Sequence, residues 1–302
     1  MNPMAFWSLL KQAGKSWMED KASRLGAALA YYTTFALAPL LLICVAVAGL
    51  VFGKKAAQGY LVDELRGLLG DQGGEAVQAM LAASDKPTVG ILATVVGVVM
   101  LLFGAMGLFV ELQDALNTIW EVHPKPGRGI WRFVKERILS FSMVLGVAFL
   151  LLVSLVVSTV LSAMASHFGD CQTNVLCEGG HFAISIVVIT LLFAMMYKFL
   201  PDAVVAWRDV WLGAVVASVL FSTGKLAIGI YLGRSATASS FGAAGSLAVL
   251  LIWFYYSSQI FLFGAEVTKV SSERRLGKTV PAPNAVAVSE AQRQQEGIPR
   301  KS

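Results

Sequence analysis

The chain has 302 residues, 56% of them hydrophobic and only 14% charged, with a mean hydropathy of +0.68. That balance excludes a disordered polar chain and points away from a water-soluble domain towards a lipid bilayer. The formal charge of +5 and the pI near 9.1 are read as signs of membrane orientation and of affinity for anionic headgroups, before nucleic acid.

Residues 1–26 hold an amphipathic segment. Over 4–24, Phe6, Trp7, Leu10, Ala13, Trp17 and Met18 fall near one stripe, with Lys11, Lys15 and Glu19 elsewhere. Such a helix either sinks halfway into the headgroup region or docks on the protein's own bundle. Six apolar runs follow, at about 27–52, 88–110, 138–165, 182–200, 209–232 and 246–266. A helix of about 20 apolar residues crosses the ~30 Å hydrocarbon core, so the fold expected over 27–266 is all-α, a polytopic bundle of six transmembrane helices.

The first run contains Pro39, which removes a backbone donor and is expected to kink its helix. The connection 54–87 shows Ala57, Leu61, Leu65 and Leu68, then Val77, Met80 and Leu81, at helical spacing, with Gly70–Gly74 between them. It reads as two short amphipathic helices capping the outer face. In the second run Gly90, Gly97 and Gly104 recur every seven residues, and the next step reaches Glu111; Gly107 repeats the step to Asp114. The outcome is a smooth face ending in two carboxylates. It serves either tight helix packing, within one bundle or between two copies, or a substrate or ion pathway.

The third run places Ser154, Ser158, Ser162 and Ser166 on one stripe, and the loop 166–180 after it carries Cys171 and Cys177, either two thiols or a disulfide. In the fifth run Lys225 follows Ser218 and Ser222. An ammonium inside a span is a functional hypothesis by default. Lys225 lies ~24 Å from the inner end at 1.5 Å per residue, close enough to the outer surface to snorkel there instead. The sixth run is interrupted by Ser257, Ser258 and Gln259 and ended by Glu266. Gln259 suits a bond to another helix, Glu266 a pairing with Arg208 or Lys269, and the deep Tyr255 and Tyr256 need hydroxyl partners. The remainder, 267–302, reads as a basic and mostly disordered tail, Pro-, Gln- and charge-rich from 278 on.

Eighteen of the 24 Lys and Arg lie at 1–30, 111–137, 198–208 and beyond 267; five lie on the opposite side, at Lys54, Lys55, Arg66, Lys86 and Arg234. Basic residues collect on the cytoplasmic side, so both termini are expected there. The first run lacks a following small-residue cleavage pattern and reads as a retained anchor. The three histidines are scattered, and there is no HExxH, Walker A, GxSxG or DxD pattern. No catalytic residue, metal site or cofactor is therefore expected.

RLGAALAYYTTFALAPLLL (24–42), DALNTIWEV (114–122) and SFGAAGSLAVLLIWFYYSSQIFLFGAEVT (240–268), in that order, resemble the YihY/virulence factor BrkB family of bacterial inner-membrane proteins. The resemblance covers about 15–275. It implies the inner membrane, envelope integrity and lipid export. It carries over no catalytic set, and the label ribonuclease BN often given to the family finds no metal cluster or soluble domain here. Pro39, Gln259 and Glu266 fall inside the family-like stretches; Lys225 does not.

The function expected first is a transporter or flippase-like protein for an amphipathic anionic substrate. Lys225 would contact a phosphate, Glu111, Asp114 or Glu266 would exchange protons, and Ser158 and Ser162 would line the path. The alternative is a scaffold that holds envelope-biogenesis proteins through its tail. A membrane-embedded hydrolase ranks last. The expected partners are membrane lipids, with no nucleic acid.

Overall fold

Long runs of Ala, Leu, Val and Ile in a medium without water leave the helix as the way to satisfy every backbone group within one segment. The computed structural model describes residues 3–84, 107–125, 175–234 and 242–289, and helices dominate them. They are α1 (Pro3–Glu19), α2 (Ala22–Phe52), α3 (Lys54–Ser84), α4 (107–120), α5 (Val175–Phe199), α6 (Trp207–Arg234) and α7 (Gly242–Leu276). Two three-residue strands, β1 (Val122–Pro124) and β2 (Ala285–Ala287), pair antiparallel with Val122 opposite Ala287.

The main core gathers Leu29 of α2, Leu116, Ile119 and Trp120 of α4, Ala194 and Tyr197 of α5, Ala214 and Ala217 of α6, and Phe261, Leu262 and Ala265 of α7. A second cluster joins Leu37, Leu41 and Val45 of α2 to Leu61, Val62, Val77 and Leu81 of α3 and to Leu250 and Trp253 of α7. The third seats Leu9 and Ala13 of α1 on Val267 and Val270 of α7. Small residues bring α6 and α7 close. A Cβ at Gly264 would strike the Tyr197 hydroxyl and lie 2.7 Å from the Ala217 Cβ. Among the described residues one helix, over Ala248–Leu276, is long and apolar enough to cross a membrane. Phe35, Val187, Val215, Val219 and Ile252 are exposed on the outside of the helices, a surface suited to acyl chains rather than water.

Several elements differ from their sequence expectation. The amphipathic segment stops at Glu19, and a turn at Asp20–Lys21 separates it from α2. Its docked edge is Leu9, Ala13, Ser16 and Asp20, while Trp7 and Met18 of the expected stripe are exposed. Fit against α7 selected the smaller side chains. α2 runs through Pro39 to Phe52. α3 is helical throughout but not straight: a Cβ at Gly74 would lie 2.9 Å from the Arg66 Cβ, whereas eight residues of straight helix span about 12 Å. The chain thus turns back on itself between Arg66 and Gly74, within the helical stretch Lys54–Ser84.

α5 begins at Val175, which takes Cys177 out of the loop and into a first helical turn. α7 continues ten residues past Glu266. The largest correction concerns the tail. Residues 267–276 are helix, with Val267, Lys269 and Val270 fully buried, and 277–289 dock back on the bundle through strand pairing and polar bonds. The third apolar run and nearly all of the second, with Gly90, Gly97, Gly104, Ser158 and Ser162, lie outside the described residues, as do Cys171 and the final stretch 290–302.

Candidate functional site: a buried charge cluster at one end of the bundle

Where the apolar run of α7 ends, the helix turns Lys269 inward. Its side chain is fully buried, with the ammonium 2.9 Å from Glu121 Oε1 and 3.4 Å from Asp20 Oδ2. Glu266, one turn back on the same helix, is also fully buried. The negative charge of Glu266, Asp20 and Glu121 around it offsets the cost of burying the ammonium.

Each acid comes from a different corner. Asp20 ends the first helix, its N–H bonded to the Ser16 carbonyl at 2.8 Å. The next residue, Lys21, adopts φ 51 to start α2. Glu121 follows α4 with φ 53. Among the described residues these are the two non-glycine positions with positive φ, a conformation that costs about 1–3 kcal/mol and persists where surrounding contacts enforce it. Both stand at this cluster. The indole N–H groups of Trp17 and Trp120, also buried, have no hydrogen-bond partner among the described residues.

Two further polar groupings involve the turn before α6 and the start of that helix. Asp202, in the turn between α5 and α6, accepts hydrogen bonds from the side-chain amides of Gln113 (3.3 Å), Asn117 (3.0 Å) and Asn284 (2.7 Å), and its own N–H donates to Asn117 Oδ1 at 2.8 Å. Asp209, in the first turn of α6, pairs with Arg275 at 2.7 Å and accepts from Ser271 at 3.0 Å. There the acid meets the positive end of one helix dipole and the Arg the negative end of another. Beside them Phe199, Trp207 and Trp211 are exposed, with the Lys198 ammonium 5.7 Å from the Trp207 ring. Such a belt marks a membrane–water boundary.

Of the sequence candidates, Glu266 joins the cluster, and of its two suggested partners Lys269 faces it while Arg208 is exposed. Glu111 and Asp114 stay apart from it on α4, half-buried and exposed respectively. Burial raises the Glu111 carboxyl and neighbouring Asp114 raises it further. Lys225 is half-buried on α6 beyond the buried Ser218 and Ser222; Ser218 bonds Thr190 of α5 at 2.8 Å. Gln259 reaches the Ser23 carbonyl at 3.4 Å and fills the space above Gly26, and the Tyr256 hydroxyl donates to the Leu220 carbonyl at 3.3 Å. Sequence reading missed Asp20 and Glu121. Asp20 had a signal, because it extends the Leu9–Ala13–Ser16 edge by one more turn. Among the described residues no group of three or more His, Cys, Asp or Glu is placed to hold a metal ion.

Apolar side chains exposed along the helices, one helix long and apolar enough to cross a membrane and ionisable groups buried near its end are features that fit a membrane protein. The chain belongs to the virulence factor BrkB family, whose model matches residues 13–289, a stretch that takes in β2. It is 28% identical over 280 residues to a UPF0761 membrane protein of Rhodospirillum centenum, covering 89% of this chain and 59% of that one. A Pseudomonas aeruginosa counterpart is 28% identical over 275 residues, 90% of this chain and 64% of its own. One from Tolumonas auensis is 32% identical over 190 residues, 62% and 60% of the two chains. The chain thus spans less than two thirds of the length of these relatives. No solved structure matches it.

Proposed function

We propose that the protein is a six-span bundle of the bacterial inner membrane, with both termini cytoplasmic, that moves an amphipathic anionic substrate of the lipid or lipid-precursor class. The observation that carries this reading is the cluster of the buried Lys269, Glu266 and Asp20 with the half-buried Glu121 at its edge. Taking an ion out of water costs several kcal/mol, and well-packed apolar residues often hold a structure as firmly. A bundle that served only as a support would be cheaper without the cluster. In this reading Glu266, Glu111 or Asp114 exchanges protons, and Lys225 contacts the substrate phosphate nearer the outer face. Lipids are also partners of α1. Its outward stripe of Met4, Trp7, Lys11, Lys15 and Met18 is exposed, with the Lys11 ammonium 5.7 Å from the Trp7 ring, a composition matched to anionic headgroups.

The test is translocation of headgroup-labelled lipid in proteoliposomes, read with a membrane-impermeant quencher, with and without a pH gradient. Label sheltered in empty vesicles but reached in protein-containing ones supports the reading. Lys225→Met and Glu266→Gln should then each slow it at least tenfold at unchanged folded yield, and unchanged rates would remove those residues from the mechanism. No excess translocation by folded protein would favour the scaffold reading. In that case deleting 290–302 should release envelope-biogenesis partners, whereas a transporter keeps its rate. We expect no metal-dependent cleavage of RNA by the purified protein.

A further inference from the structure

We infer that residues 277–289 form a lid over one end of the bundle, hinged at Gly277 and latched at Asp202, whose release admits water and solutes to the buried Lys269 cluster. Gly277, at φ +74 with open space around it, ends α7 and lets the chain turn back. From there the segment crosses the turn before α6: the Val204 N–H bonds the Val280 carbonyl at 2.8 Å and the Ala282 N–H bonds the Asp202 carbonyl at 2.9 Å. It then runs along β1 as β2, and the Lys125 ammonium bonds the Pro283 carbonyl at 2.9 Å.

The link to the cluster is Glu121. Its carboxylate holds Lys269 while its carbonyl accepts the Val288 N–H at 2.9 Å. One strained residue is therefore both a wall of the charged site and part of the lid's seat. Neighbouring Val122, opposite Ala287, is fully buried.

The lid is held differently from the helices it covers. Of its side chains only Ala285 enters the main core, while Val280 and Val286 are exposed. The rest of its hold is a short strand pair and polar bonds, which exchange readily for bonds to water. Segments with few buried apolar contacts open at lower free energy than the core around them. As a regulator of the cluster the lid rests on the transport reading; its opening does not.

Two measurements test it without any transport assay. In the native protein, amides of Val204, Ala282, Ala285 and Val288 should exchange hydrogen together, at least about tenfold faster than those of Val267–Val270 in α7. Exchange as slow as α7 would make the segment an ordinary part of the core and overturn the lid. The second uses Ser272→Cys, a buried position one turn past Lys269, in a chain with Cys44, Cys171 and Cys177 replaced by serine. A water-soluble maleimide should label it slowly, and about tenfold faster once Asn284→Ala removes the latch. Val122→Cys/Ala287→Cys should shut labelling off until reductant is added, because these residues face each other at a non-hydrogen-bonded pair, ~4.5 Å between Cα atoms. Labelling indifferent to both latch and lock would overturn the inference.

Discussion

Replacing Lys269 by methionine would remove the ammonium that faces the buried Asp20 and Glu266 and the partly exposed Glu121. Breaking a buried ion pair by removing one partner costs about 3–5 kcal/mol. Lys269→Met should therefore lower the melting temperature in detergent sharply, with part of the loss restored by adding Glu266→Gln; a melting curve like the wild type's would mean that the pairing is not what holds this end together. Glu111 makes a prediction of opposite sign. Its folded carboxyl holds its proton above the ordinary carboxylate range, so the unfolded chain releases a proton first as pH rises. Stability then falls from the ordinary value up through the raised one. Glu111→Gln should flatten that fall and leave the variant the more stable form at neutral pH, as read from melting temperatures between about pH 4 and about pH 8. The facing of Glu266 and Lys269 was legible because residues three apart on a helix share a face. The remaining two members were missed, since Asp20 and Glu121 lie 249 and 148 residues away from Lys269 in the chain.

Helices were legible where an apolar run had nowhere else to bury itself, as in α2, α6 and α7; their ends were not. α7 outlasts its apolar run because its last ten residues bury a polar and charged face against α1 and the α4 corner, which hydropathy scores as a loop. The same bias made 278–289 read as disordered. That segment is held by backbone ladders and by Asp202, and neither leaves an apolar period. Glycines separate by their surroundings in the same way. Gly14 faces open space on α1, so Gly14→Ala should stabilise by up to about 1 kcal/mol through helix propensity. At Gly264, wedged against Tyr197 and Ala217, the same change should cost about 1–3 kcal/mol by overpacking. Denaturant or thermal unfolding of the two variants side by side measures the contrast; equal effects would mean that α6 and α7 are not in close contact.

Membrane residence was legible from hydropathy alone, and the family match and the exposed apolar flanks of the helices agree with it. The six spans rest on the apolar runs and their orientation on basic-residue bias, and both are tested on the intact molecule. With single cysteines at Lys11, Lys54 and Lys278 in whole cells, an impermeant thiol reagent added outside should label the Lys54 position alone. Labelling at either of the other two would invert or break the proposed topology.

The joint between Asp20 and Lys269 ties the turn after α1 to the end of α7. At ~5–20 residues per second of synthesis, Asp20 leaves the ribosome roughly 10–50 s before its counter-cation exists. Through that interval the nascent chain carries an acid whose native partner is still unmade. Products that terminate upstream of residue 269 never acquire it. A premature stop late in the coding sequence, even one that spares most of the helices, should therefore mark the product for proteolysis rather than yield a shortened protein that persists.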